Sequence, residues 1–186
     1  MFGFFKKSQG EVDVIERMRG IAKNANGLVH NTLSKSDPLI EVEVFIYLYT
    51  ITDYWFMMKD ESKEKRMDLN NKVFNLLKTN VEWNIYSRVE EKELEKLFDT
   101  RVMSYFKILE QSNKRMDIDY FKACVDYQVQ LISNILINNK FSYYNPVPQS
   151  PREYSPLIMD FMMTSQVKML LMQILDDVLM YIKIIK

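Results

Sequence analysis

Asp53 sits in the apolar run from Val44 to Met58, where a carboxylate without a partner is costly and usually acquires a cation or several donors. Arg101 and Tyr105, four positions apart, share one face of a helix and supply a guanidinium and a phenol that can both reach it. Arg66 is the second-choice partner. Two readings of Asp53, Arg101 and Tyr105 follow. One is a polar island that holds a ligand in an aromatic pocket; the other, the commoner use of such a group, is a buried pair that fixes helix register.

Other reactive groups are scarce. His30 is the only histidine, so no zinc finger, facial triad or di-iron helix pair can be assembled. Asp117-Ile118-Asp119 opens like a calcium loop, but Lys122 stands where the glycine belongs and Gln128 where the bidentate glutamate belongs. Cys124, among Phe121, Ala123 and Val125, reads as a small buried hydrophobe. No G-x-S-x-G, Walker or G-x-G-x-x-G pattern occurs, and Asp176-Asp177 has Met180 and Tyr181 where a third aspartate would be needed. No catalytic, cofactor-binding or metal-binding residue is therefore assigned, and no cofactor is expected.

Nucleic acid is not an expected partner either. Ile21 to Gly27 followed by Thr32-Leu33-Ser34-Lys35 resembles a degenerate helix-turn-helix, but the spacing from Ala22 to Gly27 is one residue too long. The 25 basic residues are balanced by 25 acidic ones, which leaves no phosphate-binding footprint beyond a slight basic excess near the start.

The elements that must position these residues are helical. With four Gly and five Pro in 186 residues, the chain lacks the turn punctuation of a sandwich or barrel. At 47% hydrophobic and 27% charged it is globular, and its length suits one domain. Apolar positions three and four apart, from Val14 to Val29, predict a helix over about 10–34, opened by a capping box at Ser8 and Glu11. Asp37-Pro38 is an N-cap followed by proline at the first helical position. Residues 41–58 are ambiguous, since Glu41-Val42-Glu43-Val44 alternates and Val, Ile, Tyr and Thr favour strands. Without a partner strand, and with a length beyond the usual strand, they are read as a helix buried on most sides. Asp60 is expected to cap a helix ending near Asn80, and Ser87 and Glu90 to open another through Leu109. Charges crowd between Lys59 and Arg115, which makes those two helices the solvated outer pair. Asp117 opens a fifth helix ending at Asn138-Asn139, a Pro-rich connection spans 140–155, and Ser155-Pro156 begins a long central helix running to the end.

The expectation is an all-α, single-domain bundle of about six helices. Phe2, Phe4 and Phe5 precede Lys6 and Lys7, the reverse of a secretory signal. A wedge on a membrane surface is the lesser reading of this segment, and membrane is not an expected partner. One cysteine fits the reducing cytosol, so the expected compartment is cytoplasmic. Function reads as a non-enzymatic interaction protein, with a protein partner or a second copy of the chain as occupant, because 13 Met and many aromatic residues supply adaptable apolar surface. The alternative is an inter-helix pocket for a hydrophobic small molecule. An enzyme using Asp53, Arg101 and tyrosines ranks last.

Overall fold

The structure, a computed structural model, describes residues 9–34, 37–80, 83, 91–110, 124–125, 127–129, 131–132, 169, 172–173 and 176. Four helices have defined bounds: α1 (Gln9–Leu33), α2 (Pro38–Met58), α3 (Lys63–Thr79) and α4 (Glu91–Glu110). No strand occurs among the described residues, and those between 124 and 132 are helical as well. The fold is all-α. Of the further expectations, the capping boxes at Ser8 and Ser87, the start of the fifth helix at Asp117, the 140–155 connection and most of the C-terminal helix lie outside the described residues.

Asp37 starts α2 as its sequence suggests. Its backbone is extended, at φ −148° and ψ 133°, and its carboxylate accepts the Leu39 N–H at 2.9 Å, while Pro38 occupies a first-turn position whose N–H would go unused. The strand-like composition of the segment is overridden by burial. Every residue from Val42 to Tyr54 is buried, so the aromatic and β-branched side chains that suit a sheet surface instead face neighbours all round a central helix.

The turn after α2 corrects one expectation. Asp60 does not cap α3; it ends α2. Its backbone is left-handed at φ 55°, the Glu61 N–H reaches back to the Phe56 carbonyl at 3.0 Å and the Asp60 N–H to the Met57 carbonyl at 3.2 Å. That is a Schellman closure, with aspartate at the position more often held by glycine, and aspartate tolerates it because its short side chain is compatible with left-handed backbone. The cap of α3 is Ser62, whose hydroxyl accepts the Lys65 N–H at 3.2 Å. Ser34 closes α1 in a similar way, at φ 53°, with its N–H on the His30 carbonyl at 2.7 Å.

Around α2 the other helices present one face each. Val14, Met18, Ala22, Ala25 and Val29 form the buried stripe of α1, and its opposite face carries Arg17, Lys23, Asn24 and His30 to solvent. The helix runs unbroken through Gly27 to Leu33, so the turn that a helix-turn-helix would place there does not exist. On α3 only Leu69, Val73 and Leu77 are buried, as an outer helix requires. By contrast α4 departs from the outer role: Leu94, Leu97, Phe98, Arg101, Ser104, Tyr105, Ile108 and Leu109 are all buried, and it packs mainly on α2 rather than on α3. Of the C-terminal residues, Met172 packs against the core while Met169, Gln173 and Asp176 are exposed. Among the described residues no helix is long and apolar enough to cross a membrane.

Candidate functional site

A helix buried on all sides carries three acids, Glu41, Glu43 and Asp53, and each finds a different partner. At about 100° per residue, Glu43 lies roughly 200° and Asp53 roughly 120° around the axis from Glu41. The three carboxylates therefore point towards three different neighbours of α2.

Glu41 holds the start of the bundle. It accepts the Asn26 side-chain N–H of α1 at 3.0 Å and the Trp83 indole N–H at 2.9 Å, and Asn26 in turn accepts the Asp37 N–H at 3.4 Å. Trp83 follows the Asn80 cap of α3 and lies 5.0 Å from the Phe45 ring, centroid to centroid. One carboxylate thus ties α1, the α1–α2 junction and the segment after α3 to α2.

Asp53 pairs with Arg66, not with Arg101. The two groups meet side-on, with Arg66 Nε to Asp53 Oδ1 at 2.7 Å and Nη2 to Oδ2 at 2.8 Å. Two parallel charge-assisted bonds of this kind are the strongest geometry that the two side chains can make. Arg66 remains about a quarter exposed, and its hydrogen bond to Asp53, partly offset by burial, raises its pKa further. Beside the pair, Asn70 donates to the Tyr49 hydroxyl at 2.7 Å, and Tyr49 stacks on Phe98 at 5.4 Å. Burial and then the Asp53 charge push the Tyr49 phenol up to about 12.

Geometry explains why Arg101 does not reach Asp53. Ten residues of helix, about 15 Å along the axis, separate Glu43 from Asp53, too far for one guanidinium to serve both. Arg66, one turn into α3 and just past the α2–α3 turn, necessarily lies near the C-terminal end of α2. Arg101, midway along α4, meets the N-terminal half instead.

There Arg101 and Glu43 are each 1% exposed, and the Arg101 Nε–H is shared between both carboxylate oxygens at 3.0 and 3.1 Å. Burial raises the Glu43 pKa above the ordinary carboxylate range even though the Arg101 charge and hydrogen bond oppose it. Tyr105 does lie beside Arg101, as expected, within an aromatic set: its ring is 5.2 Å from Tyr47 and 5.1 Å from Tyr127. Tyr127 hydrogen-bonds with Ser104 and Arg101, and the Gln128 side-chain N–H donates to the Glu43 carbonyl at 3.2 Å. Cys124 is buried here too, and burial pushes its thiol far above the ordinary range.

Sequence reasoning assembled Arg101 with Tyr105 but gave them the wrong acid. A signal for the right one existed. Leu94, Leu97, Phe98, Arg101, Tyr105 and Ile108 recur at three and four, which puts the guanidinium in the apolar stripe of α4 and demands an acid from the buried segment. Glu43 was hidden by the alternation of Glu41-Val42-Glu43-Val44, which reads as strand. Tyr47, Tyr127 and Gln128 carry no spacing signal.

Of the other candidates, His30 and Asp176 are exposed, and Asp117, Asp119 and Asp177 lie outside the described residues. Among the described residues no group of three or more His, Cys, Asp and Glu is placed to hold a metal ion. A small open depression on the surface is lined by Val14, Ile15, Phe56 and Leu69, with Lys65, Asp68 and Lys72 at its polar edge. No protein-family model, curated protein or solved structure matches the chain.

Proposed function

We propose that the chain is a non-enzymatic interaction protein whose bundle presents an apolar surface to a protein partner or to a second copy of itself. The supporting observation is how the buried polar groups are used. Glu41, Glu43 and Asp53 are each engaged by a side chain of another element, in contacts that fix how helices pack and offer a substrate no open carboxylate. Large apolar side chains, meanwhile, stand in solvent: Met67 on α3, Met103 on α4 and Met169 are each more than half exposed. Methionine is flexible and polarisable, which suits it to recognition surfaces.

Native mass spectrometry of freshly expressed protein tests this reading. A homo-oligomer or a retained protein partner is the expected result, and Met67→Lys with Met103→Lys should disperse it while leaving the melting temperature unchanged. A monomer carrying an apolar small molecule would overturn the reading in favour of an inter-helix pocket, and a bare monomer at micromolar concentration would also count against it.

A further inference from the structure

Among the described residues, three buried polar atoms on one seam have no hydrogen-bond partner: the Tyr47 hydroxyl on α2, the Tyr105 hydroxyl on α4 and Gln128 Oε1 on the later helical residues. None of these residues is more than 1% exposed. The two rings are 5.2 Å apart, and both phenols lie near Cys124, which stands four residues before Gln128 on the same helical face. Gln128 is oriented by its other end, since Nε2 is bound to the Glu43 carbonyl. The remaining buried tyrosines of α2 behave differently: Tyr49 accepts from Asn70, and Tyr54 donates to the Leu109 carbonyl at 3.2 Å.

Buried polar groups in folded proteins are almost always satisfied, by protein or by ordered water. Here the missing partner must both accept from a phenol and donate to an amide oxygen. It must also be neutral, because Glu43 and Arg101 already balance each other's charge. It must be small, because the Tyr127 ring, itself fully buried, lies against Tyr105. We propose that the seam between α2, α4 and the segment of Cys124 and Gln128 is a hydration site, holding one or two water molecules between the Tyr47 and Tyr105 hydroxyls with Gln128 Oε1 as acceptor. Water then supplements the direct Gln128 and Tyr127 bonds that join the later part of the chain to α2 and α4.

A high-resolution crystal structure of the full chain, wild type and Tyr105→Phe, tests the proposal. The expected result is water density about 3 Å from both hydroxyls in the wild type, lost or displaced in the variant. Tyr105→Phe should also lower Tm by about 2 to 4 °C, because it strips the water of a partner. Absence of density at that point, or density for a molecule larger than water, overturns the proposal whatever the Tm. Should the variant not fold, the wild-type density alone decides.

Discussion

Among the described residues two ion pairs anchor α2, and they differ in depth and in geometry. Asp53–Arg66 lies near the surface and makes two parallel bonds. Glu43–Arg101 lies in the interior and shares a single N–H between two oxygens. The pair with the poorer geometry bears the larger desolvation penalty. Such a pair is a weak source of net stability, because the attraction between its charges must first repay their removal from water. What it provides is intolerance of error: any packing that separates Arg101 from Glu43 strands a charge in the core. The outer pair lacks that force, since water can take the place of either partner.

Losing the deep acid should give the largest effect. Glu43→Ala leaves Arg101 buried without its counter-charge, and arginine cannot shed its proton, so the cost should be about 3 to 5 kcal/mol; because the folded-state Glu43 pKa is raised, that cost should not grow as pH rises. Denaturant unfolding at several pH values measures it. That is a large share of the ~5 to 15 kcal/mol typical of a domain.

Losing the deep base should behave differently with pH. In Arg101→Met the influence that lowers the Glu43 pKa is gone, and burial, which raises it, remains. The folded state then binds the proton more tightly than the unfolded chain, whose glutamate titrates near ~4.3. Stability is fully present below that value and is lost as pH rises through the folded pKa. The cost of Arg101→Met should therefore be smallest near pH 4 and grow towards neutrality; a cost that fails to grow with pH, like that of Glu43→Ala, would erase the proposed asymmetry between acid and base.

Asp53→Ala and Arg66→Ala should cost less, about 1 to 3 kcal/mol each, as expected for a charge-assisted hydrogen-bonded pair that water reaches. If either matched Glu43→Ala, depth would not be the deciding variable. Smallest of all are the exposed pairs Lys65–Glu61 and Lys72–Asp68 within a helical turn of each other. Breaking one should change stability by less than about 1 kcal/mol, and added salt should shrink even that.

The same contrast explains what was legible in the sequence. Local chemistry was readable: Asp37-Pro38 marks the start of α2, and the three-and-four spacing from Val14 to Val29 marks the buried face of α1. The helical state of 41–58 was also reached, by length and lack of a partner strand, against its composition. Asp60 was misplaced because aspartate serves both an N-cap and a left-handed C-terminal closure, and only the Glu61-to-Phe56 bond tells them apart. The pairing of buried charges was the least legible feature. Asp53 is legible as costly to bury, but which base it meets depends on where two helices lie along and around α2. Spacing within one helix does not carry that information. The outer role expected of α4 fails for a related reason: its many charges lie on the outer face and outnumber the single guanidinium on the inner one.

A pair of double-mutant cycles by denaturant unfolding bears most directly on the account, because its central claim is that Arg101 belongs to Glu43 and Arg66 to Asp53. Combining Glu43→Leu with Arg101→Met should recover much of what each single substitution loses, since both desolvation penalties vanish together, and the coupling should exceed about 0.5 kcal/mol. Asp53→Ala combined with Arg101→Met should be additive to within about 0.5 kcal/mol. Additivity in the first cycle together with coupling in the second would contradict the account, and would place Arg101 at the other end of α2.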